Sequence, residues 1–389
     1  MGTAVYKPLS QGVQKMPISG IRYVMDLAAR YPDVIHLEVG QPDFTTPQHI
    51  IDAAYRAACE GYTSYTPNAG LDSLRELCAE KVRGENGIET TPDRVLITVG
   101  SEGAVASTFV ALVDPGDEVL IPEPGWTNFR MLTLARNAIP VPYPLSEEED
   151  YIPDPRVLER LVTDRTKLLV VNSPANPTGA VYPAEVIEAL VELANRHGLY
   201  LLSDEAYEKL VFSGEHVSPG RFDAEGRVIS AFSFSKTYAM TGWRVGFAVA
   251  PPEVARAMIQ LQEPYYSCAP SISQKAAEAA LSGPQDCVAA MVASYARRHR
   301  LAVERLREAG LLGYQPRGSF FFLVNIAPTE MDAFAFARAC LEEARVAVAP
   351  GSTFGERAAG TVRLSIAAPE ERLPEGVERL IAFIQGRCV

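Results

Sequence analysis

The chain has 389 residues, 47% of them hydrophobic and 22% charged, with a formal net charge of -12 and a sequence pI ≈ 5.1. It is too long for one ordinary core, so a large domain with a smaller companion is expected, and its acid excess excludes a nucleic-acid scaffold, which would need a basic face. Six cysteines without a C-x-x-C pair and five histidines without metal spacing exclude a zinc site and a secreted disulfide framework.

Residues 1–20 carry Pro8, Gly12, Pro17 and Gly20 and read as an irregular arm that docks on another surface. No apolar h-region follows Met1, and Tyr6 stands where a myristoylation signal takes Ser or Thr. No apolar run is long enough to span a bilayer, so a cytoplasmic location is expected. Residues 21–31 have helical periodicity. Residues 34–39 read as a short strand ending in Gly40-Gln41-Pro42-Asp43-Phe44, where a glycine lets a ligand approach the backbone or simply turns the chain. A helix over 48–59 precedes Tyr62-Thr63-Ser64-Tyr65-Thr66-Pro67-Asn68-Ala69-Gly70-Leu71, whose tyrosines also suit packing under a loop.

The strand 95–99 leads through the turn Gly100-Ser101-Glu102-Gly103 into a helix over 104–112. A helix N-terminus offers unpaired N–H groups and the positive end of a dipole, which suits a phosphate. The strand 119–121 ends in Pro122-Glu123-Pro124-Gly125-Trp126, where an indole can stack on a planar ring or anchor the loop. After the strand 167–172, the turn Asn176-Pro177-Thr178-Gly179 is rigid enough to aim an asparagine. The strand 199–203 delivers Asp204-Glu205-Ala206-Tyr207. A carboxylate in that position keeps a pyridine nitrogen protonated, and equally caps a helix.

The apolar run 228–232 is followed by Ser233-Phe234-Ser235-Lys236-Thr237-Tyr238 and then Gly242-Trp243-Arg244-Val245-Gly246. Lys236 falls just past a buried strand, where desolvation and a second cation, Arg244, disfavour the ammonium form and make the amine nucleophilic near neutral pH. Ser233 as a hydrogen-bond donor and Arg244 as a charged fork would hold a phosphate. A lysine beside a phosphate clamp suggests pyridoxal phosphate. From about residue 289 helical patterns dominate, including Arg297-Arg298-His299-Arg300, read as a solvated helix face without function. Strands follow over 318–324 and 362–367, and Arg363 in the second needs an anionic partner if buried, or faces water at an edge.

These segments occur in one order over about residues 40–367: G-x-P-D-F, Y-T-P-x-x-G-L-x-x-L-R, N-P-T-G, D-E-x-Y, and S-F-S-K with G-W-R-V-G. In that order the chain resembles the aspartate aminotransferase superfamily, the fold-type I pyridoxal phosphate enzymes of the class I/II aminotransferases. The resemblance implies that Lys236 carries the cofactor and shuttles a proton. It places Asp204 at the pyridine nitrogen, Tyr207 and Asn176 at the ring oxygen, and Trp126 on the ring face. Backbone amides of Ser101 and Glu102, with Ser233 and Arg244, would hold the phosphate, and the Glu102 carboxylate would turn away from it. Arg363, Asn176 and the Gly40 backbone would bind the substrate α-carboxylate. Tyr65 of the partner subunit would reach the phosphate, so a homodimer with shared sites is implied, with no nucleic-acid or membrane partner.

The implied fold is α/β, a mostly parallel seven-stranded sheet sandwiched by helices plus a smaller α+β domain built from both chain ends. The expected division is an arm and part of the small domain over 1–45, the large domain over 46–285 and the rest of the small domain over 286–389. The expected reaction passes an amino group between an L-amino acid and a 2-oxo acid by a ping-pong mechanism. Pocket residues are expected at Ile18, Tyr23, Tyr265 and Tyr266. Glu263 falls near the place where aspartate enzymes of the family carry an arginine from the partner subunit. It would repel a dicarboxylate and attract a cationic side chain, or is a surface residue at a helix end. A C–S lyase or other α/β-elimination enzyme would use nearly the same residues, and would release pyruvate and ammonia without an acceptor. A non-catalytic aminotransferase-like sensor ranks last, because no DNA-binding pattern precedes Ile21.

Overall fold

The apolar runs of the middle of the chain line up as one sheet in the computed structural model, which describes residues 7–388. A short strand β1 (Ile35–His36) comes first in the chain and stands outside that sheet. The sheet takes β2 (Val95–Thr98), β3 (Glu118–Glu123), β4 (Ile139–Pro144), β5 (Thr166–Asn172), β6 (Tyr200–Asp204), β7 (Val228–Ser233) and β8 (Gly246–Val249). Their order is β2-β8-β7-β6-β5-β3-β4, and all pairings are parallel except those of β8, which runs against both β7 and β2.

Strands covered on both faces are apolar along their whole length, with alternate residues serving opposite cores. In β5, Leu168 and Val170 join Leu202, Ile229 and Ala248 in one core, closed by Ala104, Val105 and Phe109 of the helix Gly100–Leu112. Leu169 and Val171 face the other way, with Leu201 and with Ile187, Leu190 and Val191 of the helix Ala184–His197. The expected mostly parallel seven-stranded sheet between helices is thus the fold of this chain.

Three local expectations are corrected. The segment 34–39 narrows to β1. The turn over 100–103 is instead the first turn of the helix Gly100–Leu112, because Gly100, at φ +73°, reverses the chain directly after β2. The run Arg297-Arg298-His299-Arg300 is a solvated face only at Arg297 and Arg300. In the helix Asp286–Glu308 the Arg298 and His299 side chains are buried, and Arg298 donates to both Asp43 carboxylate oxygens, at 2.7 and 3.0 Å.

Strand β4 escapes the sequence pattern because Pro140, Pro142 and Pro144 interrupt it. It tolerates them as an edge strand paired only with β3. The odd-numbered neighbours Ile139 and Leu145 donate to Asp117 and Glu123 on the β3 side, so the missing proline N–H groups fall on the open edge.

A second layer forms from the chain ends. Strands β9 (Phe321–Asn325), β10 (Val346–Ala347), β11 (Ala349–Pro350) and β12 (Thr361–Ser365) complete the count, with β11-β12-β9 as an antiparallel sheet. Strand β1 pairs in parallel with β10, Ile35 opposite Val346. The segment that leads to Gly40 is thereby fixed to the C-terminal unit. Among the described residues no helix is long and apolar enough to cross a membrane, and no group of three or more His, Cys, Asp or Glu is arranged to hold a metal ion. The reading of Tyr6 lies outside the described residues.

Candidate active site

A cavity of about 230 Å³ opens at the C-terminal ends of the parallel strands and is closed from the other side by residues of the small unit. The location follows from topology, since side chains and loops at strand C-termini converge there. Strand β7 ends at Ser233, and a single helical turn, Phe234–Thr237, carries Lys236 into the cavity. Lys236 Nζ donates to the Gly40 carbonyl at 2.7 Å. Burial, then the positive charges of Arg244 and Arg363, bring its ammonium pKa down from 10.5 to about 8, with Asp204 opposing. The amine is therefore partly free near neutrality.

Asp204 closes strand β6 and is 8% exposed. Its side chain accepts from the Ala206 N–H at 3.2 Å, and no cation pairs with it among the described residues. Burial, and next the charge of Glu102, push its carboxyl up from 3.8 to about 7. Such a carboxylate gains from a positive group placed beside it. Tyr207 lies edge-on to Phe320 and Phe321, and burial raises its phenol above the ordinary value.

The helix Gly100–Leu112 starts at the cavity wall, so its first N–H groups have no intrahelical partners. Strand β8 begins with Gly246 against this start, where an added Cβ would lie 2.6 Å from the Ser101 nitrogen and from the Phe232 carbonyl oxygen. Arg244, at φ 54°, donates to the Thr241 carbonyl and lies across Gly100, whose Cβ, if present, would sit 2.8 Å from Arg244 Nη2. Ser233, Ser235 and Thr241 complete this end of the cavity. A helix N-terminus, hydroxyl groups and a guanidinium form a cradle for a phosphate.

At the opposite wall Arg363 projects from β12 and is 1% exposed. It donates from Nη1 to Asn176 Oδ1 at 2.9 Å and from Nη2 to the Glu38 carbonyl at 2.6 Å, and its guanidinium lies 4.0 Å from the Phe321 ring centre. Its Nε is buried without a partner, and no carboxylate pairs with it among the described residues. Burial lowers its pKa to about 10. A buried guanidinium with an orphaned donor calls for an anion from outside the chain. Gly40 stands opposite, where a Cβ would meet Phe321 at 2.2 Å, so only glycine lets the ring and the backbone share this wall.

Lys236, Asp204, Tyr207, Ser101, Glu102, Trp126, Asn176, Ser233, Arg244, Gly40 and Arg363 all line this one cavity. Ile18 and Tyr65 do not. Ile18 is 87% exposed, and Ile21 in the next helix lines the cavity in its place; Tyr65 is 88% exposed. Tyr23 packs on Phe334, Tyr265 is exposed, and Tyr266 is half-buried, all outside the lining. Glu263 is also exposed and accepts from Asn68 at 2.6 Å.

Reading the sequence missed Phe321, taken only as part of a strand, and Thr241. It also missed Glu38, whose side chain is fully buried and takes a hydrogen bond from His36 at 2.8 Å, while its carbonyl holds Arg363. A glutamate in the apolar run before Gly40 was the available signal.

The family description "Aminotransferase class I and II" matches residues 32–380. The aspartate/prephenate aminotransferase of Thermus thermophilus is 42% identical over 388 residues, covering 98% of this chain and 99% of its own. The aspartate aminotransferase of Pyrococcus horikoshii is 38% identical over 95% of each. Among solved structures, the Thermus thermophilus aspartate aminotransferase with maleate superposes with a TM-score of 0.92 at 41% identity, over 97% of this chain and 100% of that one. The aromatic aminotransferase of Pyrococcus horikoshii does so with a TM-score of 0.89 at 38% identity, over 94% and 99%.

Proposed function

This chain belongs to the class I and II aminotransferases, and from that premise we propose that it binds pyridoxal 5′-phosphate on Lys236 and passes an amino group between an L-amino acid and a 2-oxo acid in a ping-pong cycle. One observation carries the reading. A lysine whose pKa is lowered to about 8 shares a cavity with a buried, unpaired Asp204 and a buried, unpaired Arg363.

The residues fit the cofactor. The start of the helix Gly100–Leu112, with Ser233 and Arg244, would take the phosphate; Asp204 would take the protonated ring nitrogen; Tyr207 and Asn176 would serve the ring oxygen, and all of them line the one cavity. Bound there, the cofactor withdraws electrons from the substrate Cα and stabilises negative charge on it. Trp126 would cover the ring face, and Arg363, beside Asn176, would grip the α-carboxylate as a bidentate pair, which orients the Cα–H bond. The Lys236 amine, once free, would be the base that takes the Cα proton and holds it for return to the substrate–cofactor adduct. Its lowered pKa makes it a base that is free without being strongly basic.

We also propose the division into 46–285 and a small unit of 1–45 with 286–389, a cytoplasmic homodimer, and completion of each phosphate site by Tyr65 of the partner subunit. The relatives quoted are all aminotransferases, which disfavours the elimination reading. Near-ultraviolet and visible absorbance of the purified protein, recorded before and after a panel of amino acids, tests the proposal. A cofactor band that one class of amino acid converts supports it, and Lys236→Ala is expected to keep bound cofactor while losing turnover. Full turnover in that variant would overturn the assignment.

A further inference from the structure

The cavity lining carries five charged side chains of this chain: Lys236, Arg244, Arg363, Asp204 and Glu102. On the reading above, which this inference rests on, four are committed. Arg363 meets the α-carboxylate, Arg244 the phosphate, Lys236 the cofactor and Asp204 its ring nitrogen. No lining cation is left for a second carboxylate on the substrate. Glu102 is left as a negative charge without a cationic partner among the described residues.

Its side chain is held in place. Glu102 stands in the first turn of the helix Gly100–Leu112, where a phosphate would repel it. Asn128, in the first turn of the helix Thr127–Ala135 and two residues beyond Trp126, donates from Nδ2 to Glu102 Oε1 at 2.7 Å. That bond ties the carboxylate to the helix that directly follows Trp126. Oε2 has no partner among the described residues and remains free to accept. The charge is felt inside the cavity, since it contributes to raising both Asp204 and Tyr207.

We propose that Glu102 reads the end of the substrate side chain, setting the pocket against dicarboxylic amino acids and in favour of side chains that end in a hydrogen-bond donor, cationic ones first. A second substrate carboxylate would meet a like charge in a partly desolvated cavity to which this chain's described residues bring no spare counter-cation, which is a repulsive element of specificity. An ammonium, guanidinium or amide end instead supplies the donor that Oε2 lacks. The names of the aspartate and prephenate relatives therefore do not carry over to this chain's substrate. The same cavity receives the 2-oxo acid, so pyruvate is expected to accept the amino group ahead of 2-oxoglutarate.

Holoenzyme is mixed with ornithine, lysine, glutamine, aspartate and glutamate without acceptor, and conversion of the cofactor band is timed for the parent, Glu102→Gln and Glu102→Lys. Succinate, which cannot react, is titrated by calorimetry against the same three proteins. In the parent the donor-ended amino acids should react about tenfold or more faster than aspartate. Glu102→Gln keeps the shape without the charge and should shrink that ratio and bind succinate about tenfold more tightly; Glu102→Lys should reverse the preference. A parent that prefers aspartate, or a succinate affinity unchanged in Glu102→Gln, overturns the inference. No conversion with any amino acid would remove the aminotransferase reading instead, and the succinate titration would still decide the part played by Glu102.

Discussion

Lys236 and Asp204 show how one cavity holds two groups away from their ordinary ionisation. The Lys236 ammonium is lowered from 10.5 to about 8, so the folded chain sheds a proton that the unfolded chain keeps between those values. Below about 8, folding buries an ammonium and the residue destabilises most; the penalty fades as pH rises from 8 towards 10.5. Cofactor-free Lys236→Met is therefore expected to unfold at higher denaturant than the cofactor-free parent at about pH 7, by on the order of 3 kcal/mol before the lost bond to Gly40 is subtracted. The gap should close as the pH approaches the free lysine value. A gap that does not change with pH would assign the effect to packing of the methionine. Asp204 acts with the opposite sign, penalising the fold as pH rises from 3.8 to about 7.

At the scale of elements, the proposed phosphate end depends on strand β8 lying against the start of the helix Gly100–Leu112. In Gly246→Ala the new methyl would face backbone atoms, the Ser101 nitrogen and the Phe232 carbonyl oxygen, each 2.6 Å away, and neither can swing aside as a side chain could. The helix start must shift, so this variant is expected to retain cofactor about tenfold or more weakly, as read by equilibrium dialysis. Unchanged affinity would show that the helix start does not hold the phosphate.

The loops that carry the site were legible in the sequence because each asks for few residue types: a lysine after a buried strand, a carboxylate at a strand end, an asparagine in a proline–glycine turn. Strand β4 was not, since prolines mask its period and only its place at the sheet edge permits them. Arg298 was hidden for a different reason. Its partner Asp43 lies 255 residues away, and the local run of charges resembles any wet helix face. Glu102 was found by position, but its side-chain direction is set by Asn128 in another helix, which no local pattern reveals.

At the scale of the molecule, the loop bearing Tyr65 leaves that ring 88% exposed, and Asn68 of the same loop ties it to Glu263 at the end of the helix Pro252–Tyr266, next to the exposed Tyr265. Exposed aromatics on touching elements mark a surface that gains by being covered. If the proposed dimer completes the site, specific activity is expected to fall on dilution as the sedimentation coefficient drops to that of a monomer, and Tyr65→Ala should weaken cofactor retention. A monomer with undiminished activity would contradict both.

The pairing of β1 with β10 also bears on the order in which the protein can be finished. Ile35 is synthesised about 310 residues before Val346, the residue it lies against. At typical elongation rates of roughly 5–20 residues per second, the early strand waits on the order of 15–60 s for its neighbour while the central sheet is already available to fold. Arg363 leaves the ribosome later still. On the proposed assignments, the newborn chain would hold a formed phosphate cradle before it has any grip on an amino acid, and a late translational stop would yield a cofactor carrier unable to engage its substrate.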